Sequence, residues 1–141
     1  MKKIINGKLY DTETARQVGA YSYGEGRDFS AYGENLYRKR TGEYFLYGEG
    51  GPMTRYASHK GDNSWGWGEE ISPLTLDAAR QWAEKHMDAD AYQAEFGPVA
   101  EDDTRVSMIL SLDAATAERI RRRAREEGTS VSALIASLFP A

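Results

Sequence analysis

The chain has 141 residues, of which 40% are hydrophobic and 28% charged, with a net charge of −4; this balance fits a folded globular protein of one ordinary domain or two small ones. It contains no cysteine, which excludes disulfides, thiolate nucleophiles and cysteine-bound metals. No apolar run approaches the roughly 20 residues that cross a bilayer, and Met1-Lys2-Lys3 leads into only two apolar residues before Asn6-Gly7, unlike a signal peptide. A cytoplasmic location with no membrane partner is expected.

In chain order, Asn6-Gly7 between Ile4-Ile5 and Lys8-Leu9-Tyr10 predicts a tight hairpin of type I′. A second hairpin is predicted from the alternating arms Asn35–Arg40 and Glu43–Tyr47 around Thr41-Gly42. Met53–Ala57 and Glu69–Ile71 are weaker strand candidates, separated by the turn-rich Gly61-Asp62-Asn63-Ser64. Leu74, Ala78, Ala79, Trp82, Ala83 and His86 then fall at helical spacing, with Thr75 as N-cap. A shorter helix over Asp90–Phe96 runs into Gly97. Strands followed by helix predict an α+β domain over residues 1–97, a small antiparallel sheet with a helix packed on it.

Chemical motifs are sparse in this domain. His59 and His86 have no carboxylate at metal-ligand spacing, and neither a metal nor a cofactor is expected. Gly24-Glu25-Gly26 and Gly48–Pro52 do not continue into a phosphate-binding loop and read as turns. Trp65-Gly66-Trp67 reads as buried aromatics at a sheet end in preference to a stacking platform. No catalytic constellation is present, so an enzyme is not expected. Tyrosine, however, takes eight of the first 56 positions. Some must lie in the core; the remainder, with nearby acids, predict a partner-binding surface of Tyr21, Tyr23, Glu25, Asp28, Tyr32 and Glu34, with Glu43 and Glu49 adding negative charge. A merely solvated acidic surface is the plainer alternative.

The opening MKKIINGKLYDTETA and the later LYGEGGPMTRY resemble a group of small proteins carried by phages and conjugative elements, a likeness covering roughly residues 1–97. Some proteins of this kind are anti-CRISPR inhibitors. The resemblance implies a bacterial host cell and a CRISPR effector nuclease as partner.

Gly97-Pro98 and three acids make residues 98–104 a linker. The composition then changes: residues 1–104 carry a net charge of −6, all nine tyrosines and all three tryptophans, whereas 105–141 carry +2. Arg105–Leu112 alternates, with Val106, Met108, Leu110 and Leu112 on one face and Arg105, Ser107, Ile109 and Ser111 on the other, as in a half-buried strand. Asp113 caps a helix from Ala114 to Glu127 that stops at Gly128, and Ser130 caps a second over Val131–Phe139, before Pro140.

The segments RVSMILSL, AERIRRRAREEG and TSVSALIASL, the last with Gly128, Ser130, Ser132, Leu134 and Ile135 in the family pattern, resemble the ribbon-helix-helix (MetJ/Arc-type) family over residues 105–141. The resemblance implies a homodimer whose strands pair across chains, since a lone strand leaves both edges open. Its core would be Val106, Met108, Leu110, Leu112, Ile120, Leu134, Ile135 and Leu138. It also implies contact with double-stranded DNA through Arg105, Ser107, Ile109, Ser111 and the start of the second helix at Thr129 and Ser130. Two serines and an isoleucine are short and uncharged for base reading, whereas Arg119, Arg121, Arg122, Arg123 and Arg125 supply charge either for phosphates or for a solvated helix face. The chain as a whole therefore predicts a dimeric inhibitor that binds a CRISPR effector nuclease through its acidic, tyrosine-rich domain, or alternatively an antitoxin-like DNA-binding transcriptional regulator.

Overall fold

A computed structural model describes residues 1–101 and 108–140. The chain divides into two compact units, Met1–Ile109 and Leu110–Ala141. Four helices and antiparallel sheets make it a mixed α+β protein. Among the described residues no helix is long and apolar enough to cross a membrane.

The first unit is built on a four-stranded antiparallel sheet of β3 (Arg16–Tyr23), β4 (Tyr32–Arg38), β5 (Tyr44–Gly50) and β8 (Gly68–Leu74), in the order β3-β4-β5-β8. One face carries α1 (Leu76–His86) and α2 (Ala89–Phe96). Leu36, Tyr44 and Leu46 of the sheet pack there against Ala79, Trp82, Ala83 and Phe96. The other face is covered by the hairpin of β1 (Lys2–Ile5) and β2 (Lys8–Asp11), through Tyr10 on Phe45 and Ile71. Because side chains alternate along a strand, Leu46 and its neighbour Phe45 serve opposite cores, and both are buried.

The local signals explain these elements. Asn6 and Gly7 both take positive φ, 52° and 77°, as the type I′ turn of the first hairpin requires. Thr75 accepts the amide of Ala78 at 3.1 Å and Asp88 that of Ala91 at 2.8 Å, so each helix begins on a side-chain cap. A knot of charge joins the layers: Glu95 of α2, its side chain only 8% exposed, receives the Arg16 guanidinium at 2.8 Å and that of Arg38 at 3.6 Å, and the hydroxyl of Tyr44 at 2.8 Å.

Three expectations are corrected. β3 is absent from the sequence reading, because a register shift between Gln17 and Gly19 breaks its alternation. Met53–Ala57 forms turns instead of a strand. Gly48 and Gly50 are not turn residues: they lie within β5, on the helix-bearing face, where a methyl group would overlap Tyr56 at position 48 and Thr54 at position 50. Their missing side chains clear the trough in which that turn segment lies.

A small hairpin of β6 (Ser58–Gly61) and β7 (Ser64–Gly66) follows. It holds Trp65 outward, 55% exposed, with Trp67 just beyond it 46% exposed, so the expectation of buried aromatics at this position is also corrected.

The second unit contains α3 (Ala114–Glu126) and α4 (Val131–Ser137). Asp113 and Ser130 cap them as expected, accepting from Thr116 and Ala133, and Gly128 takes φ 65° between them. Residues 108–112 form no strand within the single chain. Arg105, Val106 and Ser107, expected in that strand, lie outside the described residues.

Candidate functional site

At one end of the sheet three tyrosines stand on the helix-bearing face. The register sets Tyr23 opposite Tyr32 and Tyr21 opposite Glu34. Their rings form a row: Tyr23 stacks on Tyr32 at 5.7 Å and 28°, Tyr32 lies 6.0 Å from Tyr21, and Tyr21 is 4.0 Å from the imidazole of His86. His86 in turn lies 4.9 Å from Trp82. Exposure falls along the row, from 53% at Tyr23 to 9% at Trp82. Burial raises the Tyr32 phenol above its ordinary range, helped by Tyr21 and Glu34. Burial also lowers His86, against the opposing pull of Glu34, so the row favours an uncharged imidazole.

Glu34 lies at the base of this row and is buried, contrary to its expected place on a partner-facing surface. A carboxylate is ordinarily exposed, but here the structure satisfies the charge internally. Tyr56 donates its hydroxyl proton to Oε2, Trp82 donates Nε1–H to Oε1 at 3.0 Å, and Arg55 lies 4.0 Å away. Burial and the bond to Glu34 push the Tyr56 phenol well above its usual range. With each oxygen receiving a donor, Glu34 orders the loop and helix around it. A cavity of about 340 Å³ opens beside it, lined by Ser30, Tyr32, Glu34, Met53, Thr54, Arg55, Lys85 and His86.

Comparison of the chain with protein-family models, with curated proteins and with solved structures gives no match.

The surface near the cavity is apolar in a way the sequence reading missed. Phe29 is 64% and Met53 74% exposed, and the Met53 amide donates to the Phe29 carbonyl at 2.9 Å. Gly51 likewise donates to Ala31, so the two loops form one support. The available signal was a Phe and a Met within Gly-, Pro- and Ser-rich stretches, where apolar side chains have little core to reach. Of the other expected surface residues, Tyr23, Glu25 and Asp28 are exposed and Tyr21 and Tyr32 half-buried. Asp28 also accepts from the amide and hydroxyl of Ser30, which orders the loop that carries Phe29.

The expected DNA contacts fare differently. Ser111 is exposed. Ile109, expected to face a DNA groove, packs instead against the core of the first unit that surrounds Trp82. The Thr129 amide, expected at a phosphate, donates to the Ala124 carbonyl at 2.9 Å, while Gly128 donates to Arg125 at 3.1 Å. This pair of bonds is a Schellman cap that uses the amide to close α3. The Ser130 hydroxyl caps α4.

The expected dimer core is mixed in exposure. Leu134 is buried, and Ile120 and Ile135 are half-buried. Met108, Leu110, Leu112 and Leu138 are exposed at 77%, 53%, 47% and 57%, as is Phe139 at 79%. Val106 lies outside the described residues.

Proposed function

We propose that this chain is a non-enzymatic protein inhibitor, dimeric through its C-terminal unit, which captures a protein partner with the aromatic end of its N-terminal sheet. The observation that carries this reading is the group Tyr23, Phe29, Tyr32 and Met53: three are more than half exposed, and the group rests on strands and hydrogen-bonded turns. Aromatic side chains and Met are the types enriched at protein interfaces, and a rigid support reduces the entropy lost on docking. In the C-terminal unit, Ala124 and Leu134 are the buried residues among those described, too small a core for a segment of this size. Pairing with a second copy, as in a ribbon-helix-helix dimer, would cover Leu110, Leu112 and Leu138 and present two capture surfaces, which strengthens binding to a multivalent target.

The resemblance to phage and mobile-element proteins makes a CRISPR effector nuclease the first partner to test. Purified effectors are mixed with the full chain, and both complex formation and nuclease activity are measured. Capture with loss of nuclease activity is expected, and Phe29→Asp or Met53→Asp should abolish both. Variants that bind as well as the parent would remove the proposed surface, and failure with every effector tested would remove this partner class.

The DNA-binding regulator remains a second reading because Arg121 and Arg122 are exposed on α3 with no ion pair among the described residues. That reading predicts duplex binding that weakens steeply with salt. Absence of a mobility shift at low salt eliminates it.

A further inference from the structure

We propose that the cavity walled by Trp67 at the end of the sheet is a binding site for a guanidinium group, the arginine side chain of a protein partner. The cavity, of about 550 Å³, is lined by Glu49, Tyr56, Ser58, Lys60, Trp67 and Glu69 among others. It is distinct from the Tyr23–Phe29 surface, and the proposal does not depend on that surface.

Two independent features converge there. The first is an aromatic wall without a task. Trp67 is 46% exposed, and no ring or cation is stacked on it among the described residues, whereas Trp65 next to it already meets His59 edge-on at 4.9 Å. In the first unit cations already lie over the rings of Tyr10, Tyr44 and Tyr56, the last of which lines this cavity and is covered by Arg55. The second is uncompensated charge. Glu49 and Glu69 face each other directly across β5 and β8, an arrangement that destabilises a sheet when both are ionised. One hydroxyl serves both: Tyr47 donates to Glu69 at 2.5 Å and reaches Glu49 at 3.4 Å. Neither glutamate takes part in an ion pair among the described residues.

Lys60 is the one cation in the lining, and its aliphatic chain lies along Gly66. Two carboxylates and one ammonium leave a single negative charge, which one guanidinium balances. Arginine fits better than lysine because its planar head stacks on an indole while its fork donates to a carboxylate.

The test uses the full-length chain and three blocked tripeptides, glycine-arginine-glycine, glycine-lysine-glycine and the neutral isostere glycine-citrulline-glycine, with the Trp67 indole N–H followed by NMR. A saturable shift is expected with arginine, a weaker one with lysine and none with citrulline. Glu69→Gln should weaken arginine binding by about tenfold, the scale of one charge-assisted hydrogen bond, and Trp67→Leu should weaken it comparably. Phe29→Asp should leave the response intact, so this proposal and the capture surface fail separately. Equal binding of citrulline and arginine, or parental arginine affinity in both Glu69→Gln and Trp67→Leu, overturns the proposal.

Discussion

The ring of Tyr56 lies over the bare backbone of Gly48 and its hydroxyl donates to Glu34, the residue paired with Gly48 across β4 and β5. A glycine in a strand ordinarily weakens it; here it makes room for the donor that a buried carboxylate needs. Gly48→Ala should therefore expel Tyr56 and leave Glu34 short of a partner, lowering stability by about 3 kcal/mol in urea denaturation. Gly26→Ala, where nothing stands within 4 Å of the added carbon, should change stability by less than about 0.5 kcal/mol. Equal effects at the two positions would contradict this account of the trough.

Alkaline pH should destabilise the first unit. Tyr44, Tyr47 and Tyr56 are all pushed above the ordinary phenol value, in each case by burial first and by a carboxylate acceptor second. The unfolded chain then releases these protons before the folded one does. The stability they confer is complete below about pH 10 and is lost as pH rises toward the folded values. Absorbance at 295 nm should show a late-titrating fraction of the tyrosines that vanishes in urea. Tyr56→Phe should lower the stability and flatten its alkaline decline.

His86 behaves in the opposite sense. Burial between Tyr21 and Trp82 holds its imidazole below the ordinary value, with Lys85 adding to the effect and Glu34 opposing it. Its contribution is present above about pH 6.5 and is lost as pH falls through the folded value, because the unfolded chain takes up the proton first. The urea midpoint should drop between about pH 8 and about pH 5, and His86→Phe should reduce that drop. An unchanged slope in the variant would assign the acid sensitivity to other groups.

The proposed dimer has its own test. Leu110 is half-exposed in the single chain, so Leu110→Asp should cost the first unit little and convert the protein to a monomer in sedimentation. Leu138→Asp should act in the same direction. A dimer that persists in both would place the interface elsewhere.

The sequence made visible whatever was encoded by local chemistry. Asn6-Gly7, Thr75, Asp113, Ser130 and Gly128 act within a few residues of themselves, and the structure places each in its expected turn or cap. The alternation around Thr41-Gly42 likewise revealed β4 and β5. What escaped depends on distant partners. The buried state of Glu34 requires Tyr56 and Trp82, 22 and 48 residues away. β3 is held by β4 despite a bulge and a glycine, and the exposure of Phe29 and Met53 follows from loops that meet only after the sheet has formed. For the same reason composition marks Tyr21, Tyr23 and Tyr32 alike, although Tyr23 is exposed and Tyr21 and Tyr32 are half-buried.

The charge knot at Glu95 also bears on the order in which this protein is made. Its arginine partners lie 79 and 57 residues earlier in the chain, and β8, the neighbour of β5, is synthesised after residue 67. While the ribosome is still making these parts, β3, β4 and β5 lack both their last edge strand and the helix face that covers Leu36 and Leu46. Domains fold largely as units, so the N-terminal half alone should lack a stable resting state. Closure of the first unit waits until α2 has left the exit tunnel, and a nascent chain stalled before Glu95 should remain open to proteases and chaperones.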